Sequence, residues 1–279
     1  MPNLSYYNLD GKIFLESENN ISVNNRSFRY GDGFFETIKL ANGKIQLKEL
    51  HFERILYSLK TLGFIASKHF SFEGLEKQII ELATKNNHQY LGRIRITFFR
   101  EDAGLFEVID FHPHILIQSF ELNESVNELN QNGLVIDVYP LAKKSCDIFS
   151  NIKSNNYLQY AMAALWAKEN KLNDALLLNS NDNVADSCIA NVFIIKNGVI
   201  KTPALTEGCV AGVIRKQIVS ILKKNNIEVV ETVIKTEDIT NADEVFLTNS
   251  IKGIMWVRQF GERNYANFET RKIYKMLTT

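Results

Sequence analysis

The chain has 279 residues, 45% of them hydrophobic and 23% charged, with 32 basic side chains balanced by 32 acidic ones. That length carries one large or two medium domains with a substantial core. The charge balance leaves no global field to draw the protein to nucleic acid or an anionic membrane, so an anionic ligand needs a local site. In chain order, "KIFLES" and "SFRYGDGFFETIKLANGKIQL" read as strands, with a hairpin turn at Asn42-Gly43. "KELHFERILYSLKTLGF" places apolar residues at 50, 52, 55, 56, 59 and 62, which is helical spacing. "SFEGLEKQIIELATKNN" reads as a second helix with Ser71 as its N-cap. "GRIRITFFRE" and "PHILIQSF" alternate like strands.

The polar stretch "ELNESVNELNQNG", residues 121–133, reads as a linker. It divides the chain into α+β domains at 1–120 and 134–279. In the second come "LVIDVYPLA" (strand), "NNYLQYAMAALWAKENK" (helix) and "DALLLNSNDNVADS" (strand and turn). A hairpin around Asn197-Gly198 follows, then a helix starting just after "EGCVAG", then the strands "IEVVETVI" and "ADEVFLTNS". Cys146, Cys188 and Cys209 are widely spaced and make neither a metal-ligand pattern nor a disulfide framework, which points to a reduced, cytoplasmic setting. No signal peptide is expected from "MPNLSYYNLDGK", and no apolar run has membrane-spanning length.

Several residue groups have chemistry that converges. Lys153 stands at the entry to a helix-like run. The turn "GCVAGVIR" precedes an amphipathic helix, whose first amides make an anion site. His51 and Arg54 share a helical face, three residues apart. "FLTNS" ends a strand with Thr248, Asn249 and Ser250, which either cap a turn or bind a phosphate. Asp186 sits in a turn before a strand, where an Asx turn is the alternative. A lysine, a carboxylate and a phosphate cradle together suit pyridoxal phosphate, whose aldehyde needs an amine and whose ring nitrogen needs an acid.

With these residues in place, the sequence resembles the class IV aminotransferases, the pyridoxal-phosphate enzymes of fold type IV. "YGDGFFETIKLANGKIQLKELHFERILYSLKTLGF" is similar to the family's YGDGVFET…G…L..H..RL pattern. "KSNNYL", "NVADSCIANVF", "TPALTEGCVAGVIR" and "EVFLTNS" match further family segments in the right order. The resemblance implies an α+β enzyme with a smaller N-terminal domain, a larger C-terminal cofactor domain and the site between them. It implies that Lys153 is the Schiff-base lysine and the catalytic proton shuttle, and that Asp186 faces the ring nitrogen where the family has glutamate. It assigns the phosphate to Arg54, the amides of Val213 and Ile214, and Ser250, and places Tyr157 near the phenolic oxygen. Tyr30, Phe35, Arg93, Arg95 and Asn249 fall on the substrate side, Cys188 and Ile189 near the cofactor. No metal, nucleic acid or membrane partner is implied; a homodimer is.

Within the family, Tyr157 points to a branched-chain-type transaminase, moving an amino group between an amino acid and a 2-keto acid. "TNS" points to 4-amino-4-deoxychorismate lyase, which eliminates pyruvate to leave 4-aminobenzoate. It stands where branched-chain enzymes carry a turn whose amides hold the substrate carboxylate. "FREDAGLFEVIDFHPH" lacks the Arg-x-His carboxylate trap of the D-specific transaminases, which places that reading last. Two other classes remain: a pyridoxal-phosphate-binding protein without turnover, and a sugar- or nucleotide-binding α+β protein that would not need Lys153.

Overall fold

A computed structural model describes residues 5–18, 20–67, 70–107 and 110–278. The first four residues, part of the opening stretch read for a leader, lie outside these. The chain forms two compact units: Met1–Ser125 with Lys153–Asn156, and Val126–Ile152 with Tyr157–Thr279. The stretch 121–133, read as a linker, holds a short 3-10 helix, Glu124–Asn127.

The first unit contains β1 (Tyr6–Leu9), β2 (Lys12–Leu15), α1 (Arg26–Tyr30), β3 (Gly33–Ala41), β4 (Lys44–Ile45), α2 (Lys48–Thr61), α3 (Phe72–Lys85), β5 (Leu91–Phe99) and β6 (His114–Glu121). Its six strands pair in the order β2-β1-β6-β5-β3-β4, every pair antiparallel. Asn42 and Gly43 turn the β3–β4 hairpin with φ of 51° and 70°, the left-handed pair that matches strand twist. Because side chains alternate along a strand, Phe34, Ile38 and Leu40 share one face with Ile94, Ile96 and Phe98, their register partners or near neighbours on β5. That face is buried, and α2 and α3 pack against the sheet. Each such large apolar side chain contributes about 1.5–3 kcal/mol on leaving water. The opposite face carries Phe35, Thr37, Lys39, Arg93, Arg95 and Thr97. Ser71 Oγ caps α3, accepting from Gly74 N–H at 3.0 Å.

The stretch around Tyr30 read as strand, but residues 26–30 are helical. Asn25 Oδ1 accepts from the amides of Ser27 and Phe28 at 2.8 and 3.3 Å, and Gly31 closes the turn. Aromatic residues favour strands on average, but a cap at each end determines the conformation of so short a piece.

The second unit contains β7 (Leu134–Val138), α4 (Leu158–Glu169), β8 (Asp174–Leu178), β9 (Val184–Ser187), β10 (Asn191–Lys196), β11 (Val199–Pro203), α5 (Val213–Lys224), β12 (Val229–Thr232), α6 (Thr236–Thr240), β13 (Glu244–Asn249), β14 (Gly253–Phe260), β15 (Arg263–Asn264) and α7 (Phe268–Thr278). Eight of its strands run in the order β12-β11-β10-β13-β14-β7-β8-β9, and β15 pairs with β14. One core cluster gathers Ile136, Leu176, Val184, Val192, Val245, Leu247 and Val257. A second joins α4 to β8 through Tyr139, Tyr160, Ala163, Ala167, Leu177 and Cys188. Among the described residues no helix is long and apolar enough to cross a membrane, and no group of three or more His, Cys, Asp or Glu could hold a metal ion.

Candidate active site

In the first unit, residues 153–156 lie along the start of β3. Phe35 N–H donates to Lys153 C=O at 2.9 Å, and Asn155 N–H donates to Gly33 C=O at 3.0 Å. Asn155 Nδ2 adds a bond to Ser27 Oγ at 2.8 Å. Gly33 makes this close pairing feasible. Its φ is +149°, and a Cβ there would stand 2.2 Å from Phe98 O and 2.7 Å from Asn155 Nδ2. The half-buried Lys153 thereby brings its Nζ to 4.6 Å from the centre of the Phe35 ring. Arg95 Cζ lies 3.7 Å from the same centre. Arg93 is exposed, 4.5 Å from the Phe120 ring. Tyr30, 38% exposed, carries Arg26 and Arg29 over its ring at 5.2 and 5.0 Å.

Arg54 is buried on the helix-covered face of the sheet, where Glu36 interrupts the apolar run. Arg54 Nε donates to Glu36 Oε2 at 2.9 Å, Arg54 Nη2 bonds Oε1, and His51 Nδ1 lies 3.1 Å from Oε1. The i, i+3 spacing on α2 delivers both groups to one carboxylate. Burial by itself would raise the Glu36 carboxyl, but the Arg54 charge, then His51, hold it well below the ordinary carboxylate range. Sequence reasoning found His51 and Arg54 but not Glu36, which lies within the motif "GDGFFET"; its two-residue spacing from Phe34 and Ile38 is the signal that turns it inward.

In the second unit, Asp186 is 2% exposed. Its Oδ2 accepts from Lys144 Nζ, Tyr160 OH and Val210 N–H, each at 3.0 Å, and Lys144 Nζ also bonds the Tyr160 hydroxyl. Its Oδ1 is buried and has no hydrogen-bond partner among the described residues. The Val210 bond fastens Asp186 to the loop that leads into α5. Asn151 Nδ2 donates to the carbonyls of Leu205 and Cys209 at 2.9 and 2.7 Å, and Asn191 Nδ2 donates to Val210 C=O at 2.8 Å. At Gly212 a Cβ would fall 1.8 Å from Asn191 Oδ1. No side chain caps the helix start at Val213 and Ile214, and its first turn carries no acidic residue. Such a start suits an anion.

The Tyr157 hydroxyl donates to Cys188 C=O at 2.7 Å, and its ring stacks on Tyr160 with centres 4.3 Å apart. Cys188 turns into the core with its Sγ 3.6 Å from Ala175 O, whereas Ile189 is 57% exposed. Asn249 Oδ1 accepts from the amides of Ile251 and Lys252 at 3.0 and 2.9 Å, so it caps the turn after β13. Ser250 lies half-buried in that turn.

The sequence model of the class IV aminotransferases matches residues 33–260. A protein of Aquifex aeolicus (strain VF5), named "Probable branched-chain-amino-acid aminotransferase", is 30% identical over 278 residues, 96% of this chain and 88% of that one. The aminodeoxychorismate lyase of Bacillus subtilis (strain 168) is 27% identical over 261 residues, 93% of this chain and 88% of its own. The crystal structure of the branched-chain aminotransferase from Thermoproteus uzoniensis with norvaline superposes with a TM-score of 0.88 at 25% identity, covering 99% of this chain and 94% of that one. The chain belongs to the class IV aminotransferase family, whose members are pyridoxal-phosphate-dependent enzymes of the two-domain α+β fold type IV. The Asp186 Oδ1 fits that cofactor: a buried acceptor with no donor among the described residues matches a protonated ring nitrogen.

Proposed function

We propose that the protein is a pyridoxal-phosphate-dependent aminotransferase that moves an amino group between a branched-chain-like amino acid and a 2-keto acid. The observation that carries the cofactor reading is the Asp186 carboxylate, anchored through one oxygen while the other has no partner among the described residues. Bound pyridoxal phosphate supplies an electrophilic aldehyde and a cationic ring that withdraws electrons from the substrate Cα. In the second unit, Asp186 would hold the ring nitrogen, and the amides of Val213 and Ile214 with Ser250 would hold the phosphate. Tyr157 would lie by the phenolic oxygen. In the first unit, Lys153 would hold the cofactor covalently, and its Nζ, once displaced, would take the Cα proton and return it. Arg54, fixed in direction by Glu36, adds a guanidinium for the phosphate. Phe35, Arg93, Arg95 and Tyr30 would face the substrate, with Arg95 and Phe35 offering a cation and an apolar surface together.

One observation favours a second reading, 4-amino-4-deoxychorismate lyase. Asn249 Oδ1 occupies the amides of Ile251 and Lys252, and a turn so engaged is less free to hold a substrate carboxylate. Incubating the purified protein with L-leucine or L-glutamate and a 2-keto acid, beside a pyruvate-release assay on aminodeoxychorismate, separates the two. Keto-acid formation with no pyruvate release is expected. Pyruvate release alone would replace the first reading by the second, and neither product from a protein that binds cofactor would make it a binding protein without turnover.

The substrate is a small molecule, and the three free cysteines suit a reducing compartment such as the cytoplasm. A homodimer is part of the same reading. Leu158, Met162 and Leu165 recur on one face of α4 and are 68%, 44% and 55% exposed, an apolar stripe that a second copy would cover. Light scattering should give about twice the chain mass of 32.0 kDa; a monomer with full activity would refute the dimer.

A further inference from the structure

Three donors meet on one oxygen of Asp186, and one of them is a lysine that the chemistry above does not use. Lys144 has a side chain 6% exposed. Its backbone is pinned beside the end of β8, where Lys144 N–H donates to Leu178 C=O at 2.9 Å and Ser180 N–H donates to Lys144 C=O at 3.0 Å. From there its Nζ reaches Asp186 Oδ2 at 3.0 Å and also bonds Tyr160 OH. Tyr160 OH and Val210 N–H approach the same oxygen at 3.0 Å each.

A buried ammonium is an expensive way to fill space. Its desolvation costs several kcal/mol, and apolar side chains of similar volume often stabilise a fold as well or better. What the ammonium adds here is direction and charge. A carboxylate oxygen that receives three donors fixes the plane of its group. In aspartate, with only two side-chain torsions, fixing one oxygen fixes the other. The neighbouring titratable groups do not supply that charge. Burial, then the Asp186 charge, raises the Tyr160 phenol well above its ordinary range, and burial pushes the Cys209 thiol up to about 11. Both are neutral near pH 7. Arg215 is engaged with Pro203 O at 2.7 Å and Glu231 Oε2 at 2.8 Å.

We propose that Lys144 is a positioning residue for the ring nitrogen of the cofactor. With Tyr160 it holds Asp186 Oδ2 inward so that Oδ1 is presented, and its positive charge tempers the pull of the carboxylate on that nitrogen. This rests on the cofactor reading given above. No bond is made or broken by Lys144; it acts through Asp186 alone.

The test compares wild-type holoenzyme with Lys144→Met, Lys144→Arg, Asp186→Asn and the Lys144→Met/Asp186→Asn pair. Two properties are read: the pH midpoint of the ring-nitrogen NMR resonance of isotope-labelled bound cofactor, and the dissociation constant of pyridoxal phosphate. Removing a buried positive charge favours protonation nearby, so Lys144→Met should raise the midpoint by about one unit. It should also weaken cofactor binding about tenfold, as loss of a charged hydrogen bond does. Asp186→Asn should move the midpoint the other way, and Lys144→Arg should restore it. In the pair, Lys144→Met should add nothing to Asp186→Asn. Tyr160→Phe, which deletes one donor and keeps the ring, should give a smaller rise and serves if Lys144→Met does not fold. An unchanged midpoint and affinity in both Lys144→Met and Tyr160→Phe would overturn the proposal, as would full additivity in the pair. A wild-type protein that binds no cofactor would instead overturn the cofactor reading, and this inference with it.

Discussion

Lys153→Ala should leave a folded protein that no longer transfers an amino group, with turnover lower by about 10⁴-fold, the upper range for losing a general acid–base group. The side chain is half-buried, but the segment is held by its backbone: Lys153 C=O and Asn155 N–H bond to β3, and neither bond involves the lysine amine. Circular dichroism and melting temperature should therefore change little. Borohydride reduction of the wild-type holoenzyme followed by peptide mapping should place the pyridoxyl label on Lys153, and the variant should take up none there. A label on another lysine of the wild type, or a variant with normal turnover, would remove the basis of the proposed function.

Glu36→Gln should produce the largest loss of stability among substitutions of the candidate site. Glu36 is 1% exposed, and it faces a guanidinium and an imidazole that are also buried. Breaking a buried pair by neutralising one partner typically costs about 3–5 kcal/mol, because the remaining charge keeps its desolvation penalty and loses its compensation. The pH dependence has a definite sign. A carboxyl held below its unfolded value contributes stability above that value and loses it as the pH falls through the ordinary carboxylate range and beyond. The melting-temperature gap between wild type and Glu36→Gln should therefore be widest near neutral pH and narrow in acid. A gap constant with pH would show that packing, not charge, makes the difference. The same variant should bind pyridoxal phosphate more weakly, because Arg54 loses the carboxylate that orients it.

Much of this architecture was legible in the sequence because the signals are local. The apolar spacing that predicts α2 needs only its own stretch, Ser71 caps α3 within three residues, and Asn42-Gly43 announces its hairpin. The family motifs likewise pointed to Lys153, Arg54 and Asp186. The illegible parts depend on distant partners. β14 lies between β13 and β7 and is buried on both faces in part, so it lacks a clean two-residue alternation. α6 is only five residues long, and α7 follows the last stretch whose pattern is read above. α7 is anchored by Glu244, which accepts from the amides of Glu269 and Thr270 at 2.9 Å, a contact no window of sequence contains. Lys144 and Tyr160 meet Asp186 across three separate elements, and neither belongs to a recognisable motif. Asn249 leaves two readings open, a turn cap or a phosphate ligand, and its bonds to the Ile251 and Lys252 amides give it the cap.

The placement of residues 153–156 also bears on how the chain is made. A ribosome that has released only the first 125 residues has not yet supplied the four that pair with the edge of β3 at Gly33 and Phe35. The amino-terminal half emerges with that stretch of backbone still bonded to water, and its finishing piece arrives only after part of the second half has been translated. A gene cut at the apparent domain boundary would express a first half without Lys153.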